Sequence, residues 1–127
     1  MLIGNNPLNE KPEWFKKNIE ISPQTRHVEV ENKKIKYFIW GDESLPKLIF
    51  LHGFNAHSYW WSHIAPFFNA KYCVVALDFS GMGESEHREE YSQAMYSKEI
   101  KAVVDEMECT KPICLACLLY TSDAADD

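Results

Sequence analysis

This sequence lacks both an apolar run that could cross a membrane and a surplus of basic residues. No stretch approaches the roughly 18 apolar residues that a membrane-spanning helix requires, so we expect no membrane span. Lysine and arginine together number 13 against 19 aspartates and glutamates, which gives a net charge of −6. Because nucleic acids attract basic surfaces, this balance gives no support to a nucleic-acid partner.

A secretory signal and a metal-binding pattern are missing too. Residues 1–7 contain no apolar stretch of the kind that export signals carry, so we expect a cytoplasmic protein with reduced cysteines. Cys114 and Cys117 have the spacing of a redox dithiol or of half a zinc site, but no second ligand pair stands at a suitable spacing. His57 and His63 do not fit the His-Glu-x-x-His pattern of a metal-binding helix. We therefore expect no metal and no cofactor.

The chain does contain enough apolar material for one globular domain. Hydrophobic residues make up 46% of it and aromatic residues 13%, which excludes a disordered protein. Alternating patterns over residues 26–31 and 34–40, separated by Asn32 and Lys33, predict an antiparallel hairpin with one solvent-exposed face. A short helix predicted over residues 12–18 is expected to cover a sheet edge.

Further along the chain, the pattern becomes solidly apolar. Residues 48–51 and 73–77 are typical of strands buried on both faces of a parallel sheet. We predict one helix over residues 58–68, with Ser58 as its N-cap, and another over residues 92–108. A further strand is expected after Pro112. The predicted fold class is α/β, with an antiparallel hairpin followed by parallel strands and crossover helices.

Two motifs directly follow the predicted strands. His52 and Gly53 come after the first apolar run, and the segment Asp-x-Ser-Gly-x-Gly-x-Ser over residues 78–85 comes after the second. Together they resemble the front half of an α/β-hydrolase. The resemblance implies an N-terminal extension over residues 1–24 and a partial α/β-hydrolase domain over residues 25–116 that stops before the nucleophile elbow.

The resemblance implies roles for the residues of both loops. In such hydrolases a backbone N–H just after the His-Gly pair points at the developing oxyanion, which makes Phe54 the expected donor and Asn55 the alternative. Gly53 lets the backbone turn close to the substrate, and His52 is expected to order the loop rather than exchange protons. Structural roles in the second loop are expected for Asp78, Gly81, Gly83 and Ser85.

Two other interpretations of the second loop are weaker. Gly81 and Gly83 could begin a dinucleotide-binding G-x-G-x-x-G motif, but Glu86 occupies its third glycine position, where a carboxylate would face a pyrophosphate. Ser85 superficially resembles the nucleophile of a G-x-S-x-G elbow, but His87 replaces the small residue that the sharp turn needs. We therefore expect neither a dinucleotide site nor a nucleophile here.

The last segment, residues 117–127, differs from everything before it. It resembles the translation of a transposase sequencing adapter and stands where the family would place its nucleophile elbow, so we interpret it as a non-native tail. In this family the acid and the histidine of the triad follow the nucleophile in chain order. The chain is therefore expected to be inactive, and residues 1–116 alone are expected to be mostly insoluble because their parallel sheet has an open edge.

The complete parent is expected to be an enzyme that acts on a small molecule. By analogy, Phe54 after the His-Gly pair favours a serine nucleophile that attacks an ester or similar acyl bond, after which water releases the acid. A dehalogenase or epoxide hydrolase with an aspartate nucleophile is the alternative within the family. A non-catalytic α/β interaction domain is the alternative outside it, since a fold alone does not establish chemistry.

Overall fold

A mixed sheet forms the centre of the structure, a computed structural model that describes residues 11–53 and 56–111 and the backbone of residues 113–116. In chain order, the elements are α1 (Glu13–Ile19), β1 (Gln24–Val30), β2 (Lys33–Trp40), β3 (Lys47–Leu51), two 3₁₀ helices (Ser58–His63 and Ala65–Phe68), β4 (Cys73–Leu77), α2 (Gln93–Glu106) and β5 (Ile113–Ala116). Across the sheet the strand order is β1-β2-β4-β3-β5. The pairs β1·β2 and β2·β4 are antiparallel, whereas β3 runs parallel to both β4 and β5. The predicted α/β fold with an antiparallel edge is confirmed.

The hairpin of β1 and β2 is confirmed, but its turn and its exposure differ from the prediction. Val30 pairs with Lys33 across a turn formed by Glu31 and Asn32, whose φ angles are 49° and 68°. Two consecutive positive φ angles give the tight turn that matches the right-handed twist of the strands. The prediction of one exposed face is wrong for β2, because α2 packs on one of its faces and the first 3₁₀ helix covers Lys36 on the other.

The segment predicted as one helix over residues 58–68 is instead two 3₁₀ helices. Pro66 has no amide hydrogen and lies in the first turn of the second one, so a continuous α-helical ladder cannot run through it. Ser58 is not the N-cap: His57 holds that position in an extended conformation, and the Ser58 N–H donates to the Asp78 carboxylate. The two 3₁₀ helices are therefore positioned by the loop after β4 as well as by their own packing.

The helix predicted over residues 92–108 is confirmed as α2, with an earlier C-terminal end. Ser92 is its N-cap, and the Ser92 hydroxyl oxygen accepts the Met95 N–H at 3.1 Å. Glu108, at the predicted end, has a φ of 53°, which is outside the α-helical range.

An apolar core lies on each face of the sheet. On one face, α2 contributes Val103 and Met107 to a cluster of alternate strand residues. On the other face, Ala65 of the second 3₁₀ helix packs with Trp40 and Phe50. The helix α1 packs on the 3₁₀ helices rather than on a sheet edge, and the Asn18 side-chain amide donates to the His63 carbonyl oxygen at 2.9 Å. The result is a layered α/β arrangement with the loops after β3 and β4 at one end of the sheet.

Candidate functional site

The two sequence motifs meet at the carboxyl ends of β3 and β4. These strands are parallel neighbours with Leu51 opposite Leu77, so the residues that follow them begin side by side. The Phe79 N–H donates to Nε2 of His52 at 3.1 Å, which joins the first loop to the second. Such loops at the carboxyl ends of parallel strands are the usual place for ligand sites in α/β proteins. Phe54 and Asn55, the predicted oxyanion-loop residues, lie outside the described residues.

His52 uses both ring nitrogens to hold the loops. It is 5% exposed, and because Nε2 accepts a backbone N–H, the proton of the neutral ring is on Nδ1, which donates to the Gly53 carbonyl oxygen at 2.8 Å. Burial lowers the pKa of His52 below its ordinary value, although the hydrogen bond to Gly53 acts in the opposite direction. A neutral ring with both nitrogens engaged has no free lone pair with which to take a proton from a substrate.

Asp78 is the centre of the second loop. Its side chain is fully buried: Oδ1 accepts the Ser58 N–H at 2.5 Å, and Oδ2 accepts the Glu84 N–H at 2.9 Å. The Lys36 ammonium lies 3.0 Å from the same Oδ2. Burial alone raises the pKa of Asp78, but these hydrogen bonds outweigh it and hold the pKa below its ordinary value. Asp78 is therefore ionised, and both of its oxygens are committed to donors from the protein.

Lys36 belongs to this network although the sequence analysis did not select it. Its side chain is 3% exposed, and its Nζ contacts the Ser58 hydroxyl at 3.2 Å and a Glu84 carboxylate oxygen at 3.3 Å. The same Nζ lies 3.5 Å from the ring centre of Phe38, a favourable cation–π position. The alternating pattern of β2 placed Lys36 on the same face as the exposed Lys34, and nothing near it in sequence reveals the carboxylate that it meets in the fold.

Gly83 and Ser85 fit around Asp78. Gly83 has a φ of 57°, and a Cβ atom there would lie 2.4 Å from the Asp78 Cγ atom, so this position requires glycine. The Ser85 hydroxyl donates to the Asp78 carbonyl oxygen at 2.6 Å and accepts the Lys36 N–H at 2.8 Å. Ser85 is 4% exposed, and its hydroxyl bonds to backbone groups rather than to a general base.

A second buried network ties the same loop to α2. The fully buried Glu99 accepts the N–H of Ser80 at 2.8 Å and the hydroxyl of Ser80 at 2.5 Å. Arg88 forms an ion pair with Glu99 at 3.0 Å and also donates to the Val30 carbonyl oxygen at 2.7 Å. Gly81, with a φ of 78°, lies within this turn. Nothing in the sequence reveals Glu99 or its partner Arg88, because a single glutamate within an amphipathic helix has no local signal of burial.

A cavity of about 420 Å³ opens beside the Asp78 network. Its lining residues come from β2, the end of the first loop, the first 3₁₀ helix and the second loop: Lys36, Phe38, His57, Tyr59, Asp78, Gly83 and Glu84. This volume is in the range of small-molecule sites. Because the two buried charges among these lining residues, Lys36 and Asp78, are paired with each other, neither acts as an activated nucleophile.

The described residues contain no group of three histidine, cysteine or acidic side chains that could hold a metal ion. Over the same ranges, no helix is both long and apolar enough to cross a membrane. Cys73 is a buried free cysteine and Cys109 a partly buried one. The Cys114 side chain and all of Cys117, which share the spacing of a dithiol, lie outside the described residues.

Comparisons with known proteins match both the fold and the sequence. A family model described as alpha/beta hydrolase fold matches residues 46–117. Epoxide hydrolase 4 of Mus musculus is 35% identical over 81 residues, which cover 61% of this chain and 23% of the relative. Epoxide hydrolase 1 of Caenorhabditis elegans is 27% identical over 117 residues, which cover 90% of this chain and 29% of the relative.

Solved structures of α/β-hydrolases have the same fold as this chain. An epoxide hydrolase from Vigna radiata superposes with a TM-score of 0.71 at 28% identity, covering 79% of this chain and 33% of the other. A thioesterase domain from the curacin biosynthetic pathway superposes with a TM-score of 0.71 at 25% identity, covering 75% of this chain and 35% of the other. The chain thus spans between 23% and 35% of the length of these four proteins.

Proposed function

Because this chain belongs to the alpha/beta hydrolase fold family, we propose that it forms the N-terminal part of an epoxide hydrolase. The observation that supports this proposal is the similarity to curated epoxide hydrolases, which extends over 90% of this chain in the Caenorhabditis elegans relative. A match of that extent includes both loops at the carboxyl ends of β3 and β4. The substrate of the whole protein is then a small molecule that carries an epoxide ring.

The proposed chemistry needs a carboxylate nucleophile from beyond β5. An aspartate carboxylate attacks one carbon of the epoxide, the carbon–oxygen bond of the ring breaks, and the released oxygen takes up a proton. Water then attacks the resulting ester and releases a diol together with the free carboxylate. Asp78 is unsuited to the role of nucleophile, because its buried oxygens are already bonded to Ser58, Glu84 and Lys36.

The loops of this chain are proposed to prepare the second step. As the ester is hydrolysed, negative charge develops on its carbonyl oxygen, and we assign the backbone N–H of Phe54 as a donor to it, with Asn55 as the alternative. His52 and Gly53 support this role, since the His52 ring accepts the Phe79 N–H of the second loop and donates to the Gly53 carbonyl oxygen, and these bonds restrain the backbone that leads into Phe54. Asp78, Gly83 and Ser85 act one step further away, as the hydrogen-bonded frame of that loop.

We propose that the 127-residue chain by itself does not turn over substrate. In this family the nucleophile sits in a tight Gly-x-nucleophile-x-Gly turn after the fifth strand. Residues 117–120 read Cys-Leu-Leu-Tyr and contain neither the glycines nor an aspartate or serine. The division into segments 1–24, 25–116 and 117–127, with the last segment non-native, stays a prediction, as does a cytoplasmic location.

A serine hydrolase that acts on an ester or similar acyl bond is the second candidate. The thioesterase domain, which superposes as well as the Vigna radiata epoxide hydrolase does, favours it. The two candidates use the same oxyanion loop and differ in the nucleophile. A non-catalytic interaction domain on the same scaffold would have no nucleophile at that turn.

The experiment that separates these functions starts with the coding sequence that follows Ala116 in the source organism. The extended protein is assayed for hydration of styrene oxide and for hydrolysis of a nitrophenyl ester, with the 127-residue chain as the inactive control. An aspartate at the elbow and diol formation support the epoxide hydrolase. In a single turnover in oxygen-18-labelled water, the diol should then carry unlabelled oxygen from the carboxylate.

A serine at the elbow and ester hydrolysis without diol formation would replace the first candidate by the second. An elbow with neither residue and no activity on either substrate would leave the interaction domain. Turnover by the 127-residue chain itself would contradict the proposed inactivity.

A further inference from the structure

The face formed by α1 and the two 3₁₀ helices exposes large aromatic side chains. Trp14, Trp60 and Phe67 are 44%, 52% and 57% exposed, and we call these three residues the aromatic patch. The rings of Trp14 and Phe67 pack with their centres 5.1 Å apart. Trp60 joins them through His63, which contacts both Trp60 and the Phe15 ring beside Trp14. Contiguous exposed aromatic surface of this kind is typical of interaction sites.

The same face is basic in an otherwise acidic chain. Residues 11–20 and 56–72 together carry four lysines and two glutamates, whereas the whole chain has a net charge of −6. The acidic surplus of the molecule therefore lies elsewhere, and this face attracts anions.

Lysines border the aromatic patch directly. The Lys11 ammonium lies 4.8 Å from the centre of an aromatic ring of α1, and Lys17 follows Trp14 by one helical turn. Lys71 lines a cavity of about 190 Å³ together with Phe67. Aromatic rings with lysines around them give a surface that can insert into an interface and attract negative charge at the same time.

We propose that this face docks the protein on an anionic lipid bilayer. Tryptophan and phenylalanine rings enter the boundary between headgroups and acyl chains, and lysines attract anionic headgroups. A small organic ligand fits less well, because the cavity here is smaller than the roughly 300 Å³ at which ligand pockets begin. About half of the surface of each residue in the aromatic patch is exposed, so the rings are accessible to a soft partner such as a bilayer. This inference is independent of the proposed hydrolase function.

Flotation of the extended protein with lipid vesicles tests the proposal. The protein is synthesised by cell-free translation with vesicles already present, made either of phosphatidylcholine alone or of phosphatidylcholine with phosphatidylserine. Flotation separates binding from aggregation, because aggregates sediment. We expect the protein to float with the anionic vesicles only, and less so as salt is added.

Two sets of variants locate the binding face. Lys11→Gln with Lys17→Gln should weaken binding about fivefold for each lysine. The same charge change at the exposed Lys98 and Lys101 of α2, on the opposite face of the sheet, should leave binding unchanged. Trp14→Ser should weaken binding about tenfold, whereas Trp14→Phe should retain most of it. Circular dichroism of each variant verifies that the fold is kept.

Three results would overturn the proposal. The first is failure to float with anionic vesicles, and the second is an equal loss of binding in the α2 lysine variant. The third is a dimer in lipid-free solution that Trp14→Ser dissociates, which would assign the aromatic patch to a second copy of this chain.

Discussion

Gly83 determines how closely the backbone of the second loop can approach the Asp78 carboxylate. With alanine, the left-handed backbone is strained and the new methyl group overlaps the buried carboxylate, so we expect Gly83→Ala to lower the free energy of unfolding by about 3 kcal/mol. Gly81→Ala is the matched control. Its methyl group meets the tip of the exposed Tyr91 side chain, which can move away, so the loss should be about 1 kcal/mol. Urea denaturation of the protein extended with its native continuation, followed by circular dichroism, measures both, and equal losses would contradict this account.

His52 should make the stability of the protein depend on pH. Burial lowers its pKa in the folded state, so between that pKa and the unfolded value of about 6.5 the unfolded chain binds a proton that the folded chain does not. The free energy of unfolding should therefore fall as the pH drops below about 6.5. In the protein extended with its native continuation, urea denaturation at several pH values should show a weaker pH dependence of the free energy of unfolding for His52→Gln, and identical dependences would disprove the assignment.

Only some of the site residues could be predicted from the sequence. His52, Asp78, Gly83 and Ser85 lie in two short contiguous motifs, so the sequence predicted their loops and the structure brings those loops together. Lys36 and Glu99 could not be found in this way. The buried charge of each residue is paired with a residue from another part of the chain. The neighbours of Lys36 and Glu99 in sequence show ordinary strand and helix patterns.

Among the secondary-structure elements, α2 is stabilised at its N-terminus by the side chain of its capping residue, Ser92. The Ser92 side chain satisfies a backbone N–H that the first turn of the helix leaves free. Ser92→Ala should therefore lower the free energy of unfolding by about 1 kcal/mol, while Ser92→Asn should retain the cap. Ser97→Ala, an exposed substitution within the same helix, is the control and should cost nothing, since alanine has the higher helix propensity. Thermal unfolding of the protein extended with its native continuation measures the three variants, and a comparable loss in Ser97→Ala would contradict the capping role.

Apolar patterns in the sequence were sufficient to predict some of the strands and helices, but not all of them. The continuous apolar runs of β3 and β4 predicted buried parallel strands, because helices on both sides of a sheet leave no face for polar residues. The apolar spacing over residues 58–68 predicted one continuous helix, and that prediction was wrong. Pro66 lacks an N–H, so it interrupts the α-helical hydrogen bonds that the spacing alone would allow. The exposed face expected for β2 failed because covering it depends on the first 3₁₀ helix, which comes later in the chain.

For the molecule as a whole, the sheet ends at β5, an edge strand that pairs on one side in the part of the chain that the structure describes. Over these residues, β5 pairs only with β3, so its other edge offers free backbone donors and acceptors. We expect residues 1–116 expressed alone to be mostly insoluble, and the protein extended with its native continuation to be soluble. Measuring the soluble fraction of each tests this, and a sharp, cooperative melt of residues 1–116 would contradict it.

The position of β4 has a consequence for how the chain is made. A ribosome delivers β2 and β3 one after the other, but in the finished sheet β4 lies between them. The nascent hairpin therefore cannot grow by adding the next strand, and a slot between β2 and β3 stays empty until Leu77 has emerged from the exit tunnel. During that interval both strands present open edges to chaperones and to neighbouring nascent chains. Folding during synthesis is thus the filling of a gap rather than the outward growth of a sheet.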